Sequence, residues 1–236
     1  MKSTVDEIRA RFDREVERFS NLETGQAATV DAPLALELIT EAATVTTPAA
    51  TRLLDVGCGA GNFSLKILER LPGLHITLVD LSRPMLDRAQ QRINAAGCRG
   101  LTAIQGDIRS IELAQGSFDI ILAAAVLHHL RTDAEWESVL EKFYRALTQG
   151  GSLWVFDMVD GATQPLSAMM RKRYGEYLAA LKDEAYRDEV FAYIEKEDTP
   201  RPLVDQLELL RQVGFTDIEV LHKRSCFAAF GGGKGD

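Results

Sequence analysis

The sequence predicts a doubly wound α/β fold, and three observations predict it. Short apolar runs alternate with amphipathic stretches between residues 51 and 157. The runs lack polar alternation, as strands covered on both faces of a parallel sheet do. A glycine-rich turn joins the first run to the first amphipathic stretch, with an acid at the end of each of the first two runs.

The elements follow in order. Val5, Ile8, Phe12, Val16 and Phe19 fall three or four apart, so the first twenty residues form one amphipathic helix. A polar loop, Ser20-Asn21-Leu22-Glu23-Thr24-Gly25-Gln26, separates it from a second helix that begins at the acidic cap Asp31-Ala32-Pro33. Strands are expected at Thr51–Val56, Leu74–Val79, Leu101–Gln105, Phe118–Ala123 and Ser152–Asp157, with helices at Asn62–Arg70, Arg83–Ala96 and Ala134–Leu147 between them. Gly97 stops a helix, and Gly150-Gly151 turns into the fifth strand. Residues 158–201 break the rhythm and predict two inserted helices carrying Met169, Met170, Arg171-Lys172-Arg173 and four tyrosines. The Met/Tyr stripe reads as core and the basic triplet as a solvated helix face. A helix at Leu203–Val213, stopped by Gly214, precedes strands at Asp217–Leu221 and Ser225–Phe230, and the glycine-rich tail is expected to fray. The organisation is therefore an N-terminal helical lid (1–50), a core (51–157), an insert capping the acceptor (158–201) and a C-terminal completion of the sheet (202–236).

Composition excludes several classes. Of 236 residues, 46% are hydrophobic and 26% charged, which is ordinary for a globular chain and suits one decorated domain. No apolar window is long enough for a membrane span and no secretory leader opens the chain, so a cytoplasmic location is expected. A net charge of −8 disfavours non-specific nucleic-acid binding. Three well-separated cysteines (Cys58, Cys98, Cys226) suit free thiols. The four histidines form no HExxH-type or cysteine-linked ligand set, so no metal is expected.

The densest chemical signal is Leu53-Leu54-Asp55-Val56-Gly57-Cys58-Gly59-Ala60-Gly61-Asn62, a strand running through glycines into a helix. Asn62 stands where a dinucleotide loop would place its last glycine, and Asp55 would repel a pyrophosphate. The acid instead favours a ligand with a cationic amine, as in S-adenosylmethionine (SAM). Asp80, closing the second strand, is placed to hold both hydroxyls of a ribose. Asp107, in Gln105-Gly106-Asp107-Ile108, can accept from an adenine amine while Ile108 covers the ring. His128 and His129 lie just past the fourth strand, beside the expected ligand cleft. His128 is the candidate site residue and, with Asp157, the candidate base; His129 reads as structural.

LLDVGCGAGNFSL, ITLVDLSRPMLDRA, IQGDIRSIEL, FDIILAAAVLHHL and LTQGGSLWVFDMV resemble, in order and spacing, the motifs of class I SAM-dependent methyltransferases. The resemblance implies a Rossmann-like, seven-stranded sheet whose last strand is antiparallel. It implies SAM as cofactor and S-adenosylhomocysteine as product. Asp55, Gly57, Cys58, Gly59 and Gly61 would lie toward the methionyl end, Asp80 at the ribose, and Leu81 and Met85 beside the adenine. Asp107 and Ile108 would complete the adenine site, with Ala123-Ala124 beneath the sulfonium.

The function expected is in-line transfer of the sulfonium methyl to a small molecule, roofed by the N-terminal helix, the Gln26 loop and the insert. Two alternatives stay open. FDREVERFSN and GFTDIEVLHKRSCFAAF also look similar to carboxy-SAM synthases and tRNA wobble-uridine modification enzymes. Leu209, however, stands where that group carries a carboxylate-pairing arginine, which disfavours this chemistry and tRNA as a partner. A non-catalytic SAM-binding sensor is the other alternative. Assembly as a homodimer is left open.

Overall fold

The computed structural model describes residues 2–21 and 26–235. Most of the polar loop, from Leu22 to Gly25, lies outside the described residues, as does the terminal Asp236.

Two short helices open the chain, α1 (Val5–Phe12) and α2 (Val16–Ser20), where the apolar stripe predicted one. A reciprocal Thr4–Glu7 capping box starts α1, and the chain turns at Asp13, whose carboxylate accepts from the Ser82 hydroxyl at 2.6 Å. The turn has a purpose in packing. Seven residues of one straight helix span about 10 Å, whereas the Phe12 and Phe19 rings lie 5.8 Å apart. Helix α3 (Ala32–Thr46) follows. Asp31 precedes it without capping it, because its carboxylate bonds His222 and Arg224, each at 2.9 Å.

Strand β1 (Arg52–Val56), α4 (Asn62–Arg70), β2 (His75–Asp80), α5 (Arg83–Ala96) and β3 (Gly100–Gln105) come next. They are followed by β4 (Phe118–Ala124), α6 (Asp133–Ala146) and a long β5 (Leu147–Asp160). The insert is α7 (Gln164–Leu181) and α8 (Glu184–Glu197), then a two-residue β6 (Arg201–Pro202). The chain ends with α9 (Leu203–Val213), β7 (Thr216–Arg224) and β8 (Phe227–Gly233).

The main sheet runs β3-β2-β1-β4-β5-β8-β7, and β6 pairs only with the end of β5. The first five strands are parallel, and the last, β8, is antiparallel to both β5 and β7. Leu53, Leu54, Ile76 and Leu78 are fully enclosed between the helical layers, as double-sided burial requires. The edge strands depart from that pattern. Thr102 and Gln105 of β3 are exposed, as is most of β7, because neither strand has a neighbour on its outer side.

The glycine tail is also unlike its expectation. Gly231, Gly232 and Gly233 complete β8 opposite Trp154, Leu153 and Ser152. Lys234 extends the anchoring, its ammonium donating to the carbonyls of Tyr144 (2.8 Å) and Leu147 (2.9 Å). Glycine is required here by proximity rather than flexibility, since a Cβ on Gly231 would collide with the Leu153 carbonyl and sit 2.5 Å from the Trp154 ring. Gly231→Ala is therefore expected to lower unfolding free energy by about 1–3 kcal/mol, as overpacking does. Urea titration at constant slope measures this, and an unchanged midpoint would show that the sheet yields at no cost.

Candidate cofactor and acceptor sites

The turn between β1 and α4 is built on left-handed backbone, with φ of +65° at Gly57, +49° at Gly59 and +81° at Gly61. The end of β2 pins it. The Val79 carbonyl accepts from the amides of Gly57 (2.8 Å) and Cys58 (3.1 Å), and Asp80 accepts from the amide of Gly59 at 2.8 Å. A Cβ on Gly59 would meet nothing within 4 Å, so this face of the turn opens into space. That space is a cleft of about 1070 Å³.

Asp55, Gly57, Cys58, Gly59, Asp80, Leu81, Met85, Asp107, Ile108 and Ala124 all line the cleft. Two expected residues do not. Gly61 packs beneath it, where a Cβ would lie 3.2 Å from both Ala89 and Ile93, and Ala123 is buried within β4. Phe12, Phe19, Asn62, Val126 and His129 also line the cleft. The amphipathic stripe at the N-terminus was the signal for the first two, and the others lie inside the glycine-turn and LHH motifs, which carried no separate reading of Asn62 or Val126 as cleft residues and read His129 as structural.

The carboxylates of the cleft are not equivalent. Asp55 accepts from the Ser64 hydroxyl at 2.6 Å and is pushed up to about 7 by burial, against that hydrogen bond and with the help of Asp80. Asp80 is pushed up to about 6, again by burial, against hydrogen bonds from the Ser82 and Gly59 amides. Ser82, not Asp80, caps α5 through the Met85 amide. Asp107 behaves differently. Burial would raise it, but the Arg109 guanidinium, donating through Nε and Nη2, outweighs burial and holds it below the usual carboxylate range. Asp107 therefore reaches the cleft already shared with Arg109, which itself bonds Glu135 at 2.9 Å.

A second cavity, of about 1130 Å³, adjoins the first and shares Phe12, Phe19 and Ala125 with it. Its walls are Phe156, Met158 and Phe227 from the sheet and Tyr174, Tyr186, Val190, Tyr193 and Ile194 from the insert. Ala28 and Thr29 face it too, next to Gln26, which faces the first cleft. The Met/Tyr stripe thus divides: Met170 is core and Met169 exposed, while Tyr174 reaches the cavity and anchors its hydroxyl on the Ala28 carbonyl at 2.9 Å. In the basic triplet, Arg171 pairs with Glu195 across the insert's outer surface. The N-terminal helices are tied to the insert: Ser3 donates to the Lys196 carbonyl at 3.0 Å, and Arg11 reaches Glu197 at 3.1 Å and the Tyr193 hydroxyl at 2.6 Å.

Leu127–His129 form one 3₁₀ turn that sends His128 to the second cavity and His129 to the first. Asp157 is buried with both oxygens occupied, by the His128 ring Nδ1, the His128 amide (3.0 Å) and the Met158 amide (2.7 Å). That makes it an orienting group rather than a base. Burial would lower His128, but the Asp157 and Asp198 carboxylates prevail and push it up to about 9. An imidazole so placed keeps its proton at neutral pH, so this setting does not favour proton abstraction. His129 is driven well down by burial and by the neighbouring His128 charge. Asp198, from the end of α8, is pushed up to about 6 by burial, against the pull of His128.

Residues 53–151 match the family described as a methyltransferase domain. An uncharacterized methyltransferase of Mycobacterium bovis is 36% identical over 107 residues, covering 45% of this chain and 50% of the relative. The chain thus spans about half the length of the mycobacterial relatives it matches. The demethylmenaquinone methyltransferase of Anoxybacillus flavithermus is 24% identical over 177 residues, 72% of each chain. Among solved structures, human N-acetylserotonin methyltransferase in complex with SAM shares the fold, with a TM-score of 0.61 and 18% identity. It covers 97% of this chain and 57% of the human one.

Proposed function

We propose that this chain, whose residues 53–151 match the methyltransferase domain family, is a class I SAM-dependent methyltransferase that moves the sulfonium methyl from the glycine-turn cleft to a small, largely aromatic or apolar acceptor in the second cavity. The observation that carries this reading is the junction of the two cavities at Ala125, Phe12 and Phe19. Ala125, at φ +53°, offers only a methyl group at that junction.

The cleft fits SAM. Asp55 and Asp80 are buried acids without a basic side chain on them, so they suit a ligand that brings its own positive charge. Gly59 leaves room for close approach, Asp80 has lone pairs left for a ribose, and Ile108 and Met85 offer apolar faces to an adenine. When bound, SAM supplies a methyl on a cationic sulfur that leaves as a neutral thioether. The chain's part is positioning and exclusion of water, which aromatic walls and a latched roof support. His128, held by Asp157, is a polar contact on the acceptor side. The Anoxybacillus relative, by its name, is a precedent for a small-molecule acceptor. Leu209 is buried in α9 and Arg211 is exposed, so neither brings a guanidinium to the cleft, which does not support carboxy-SAM chemistry.

Incubation with SAM and a panel of phenols, quinols and aromatic amines, read as S-adenosylhomocysteine by mass spectrometry, tests the proposal. Turnover with at least one ring acceptor is expected. Turnover only with tRNA, or none with any acceptor despite tight SAM binding, would favour the tRNA or sensor alternatives.

Affinity for SAM should also depend on pH. Asp55 and Asp80 bind protons more tightly in the empty cleft than beside a cation, so binding expels protons as pH falls through about 7 and then about 6. SAM affinity is expected to weaken by about tenfold to a hundredfold between about pH 7.5 and about pH 5.5, depending on how completely both acids ionise in the complex. Calorimetry near pH 6.5 in buffers of different ionisation enthalpy should register the released proton, and buffer-independent heats would remove the pairing.

A further inference from the structure

The wall between the two cavities holds a side-chain cluster in which His128 meets two groups, His129 and Asp198, that the transfer scheme does not use. His128 Nε2 lies 3.6 Å from Asp198 Oδ1, and His129 Nδ1 lies 3.5 Å from the same oxygen. One nitrogen from each ring and one carboxylate oxygen fall within 4.8 Å of one another. No hydrogen bond joins them. Asp198 Oδ1 and both ring nitrogens of His129 are buried without a hydrogen-bond partner among the described residues. Asp198 itself is only 3% exposed. Buried polar atoms left open in this way call for a ligand.

We propose that His128, His129 and Asp198 bind a divalent first-row transition cation of the zinc class. Ligands at about 2.0–2.1 Å from a tetrahedral ion stand roughly 3.3–3.4 Å apart, so the two edges to Asp198 need only a small contraction, while the edge between the two rings, within 4.8 Å, closes by rotation of the His129 ring. Two imidazoles and one carboxylate suit zinc, cobalt or iron, whereas calcium and magnesium seek all-oxygen sets. The outer support is already in place. Asp157 engages His128 at Nδ1 and so aims Nε2 toward Asp198, the carboxylate–histidine arrangement that orients metal ligands. The cation takes the position on Nε2 that the imidazolium proton otherwise fills. Three protein ligands leave a fourth position free, and since His128 and Asp198 both face the second cavity, that position is open to water or to an oxygen of the acceptor.

The full chain, stripped with a chelator and dialysed against Zn²⁺ or Co²⁺ without any acceptor, tests this. One cation per chain is expected at micromolar concentration, with Co²⁺ giving the intense visible bands of a four- or five-coordinate site and Mg²⁺ failing to compete. Asp198→Asn and His129→Gln should weaken retention about a hundredfold, and Asp157→Asn about tenfold to a hundredfold, each with a cooperative thermal transition retained. No retention by the wild type, a pale octahedral cobalt spectrum, or undiminished retention in the folded variants would overturn the site. It would leave a cluster satisfied by protons and water alone. Should a variant fail to fold, the wild-type cobalt spectrum decides by itself. Because no acceptor is present, failure of the transfer reading would not register in this measurement.

Discussion

Removal of residues 1–20 is expected to weaken SAM binding at least tenfold, about 1.4 kcal/mol, and to depress methyl transfer far more. The two short helices serve both cavities at once. Val5, Ile8, Phe12 and Phe19 line the glycine-turn cleft, and Arg11, Phe12, Glu15, Arg18 and Phe19 line its neighbour. They are stitched to the cofactor side through Asn62, which donates to the Phe19 carbonyl at 3.0 Å, and through the Ser82–Asp13 bond. On the acceptor side they are stitched through Ser3 and Arg11 to the end of α8. The truncated chain should keep its sheet, because Ile8, the buried residue of α1, stands outside the main hydrophobic core. Water would then enter both cavities, and a methyl transfer that depends on a dry, aligned pair of ligands would lose on the order of a hundredfold or more. Calorimetry with SAM and rates with an acceptor found by the panel would measure the two losses. Full-length affinity together with full-length rate would show that the helices do not roof the site.

Asp80→Ala is expected to weaken SAM binding by about 1.5–3 kcal/mol, the scale of hydrogen bonds to a charged group. Asp80 works in two directions. One oxygen holds the Gly59 amide and the other the Ser82 amide, each at 2.8 Å, so the glycine turn and the start of α5 are fixed by the same carboxylate that faces the cleft. Alanine removes the ribose acceptor and frees two amides. Asp80→Asn keeps an acceptor but loses the charge, and should fall between the two. Titration of SAM and of S-adenosylhomocysteine into each folded variant would check the order. Unchanged affinity for Asp80→Ala would move the ribose elsewhere.

Local pattern carried the sheet. Residues 51–157 and the helix at Leu203–Val213 were legible because each element states its own periodicity and its own stop, as Gly97 and Gly214 do at the ends of α5 and α9. The glycine turn was legible for a similar reason: strand, acid, glycines and helix lie within ten consecutive residues. The errors fell where a long-range partner decides the outcome. Three glycines in a row read as a loose tail, yet they form a buried strand because Trp154 and the Leu153 carbonyl occupy the space of a Cβ. One apolar stripe read as one helix, yet Ser82, far along the chain, holds Asp13 at the break.

The histidine pair shows the same division at the site. Adjacency on the chain placed both residues near the methyl's exit, but not the direction of either ring, since neighbours on a 3₁₀ turn diverge. Asp157 and Asp198, from β5 and the end of α8, settle what each imidazole meets. Composition, periodicity and the glycine turn by themselves determined a doubly wound sheet with a cleft for a cationic nucleoside. Only the tertiary structure decided that a second, aromatic cavity adjoins that cleft, and that His128, His129 and Asp198 converge on the wall between them. Contacts between residues far apart in sequence depend on how helices cross over strands, and no local spacing encodes that crossing.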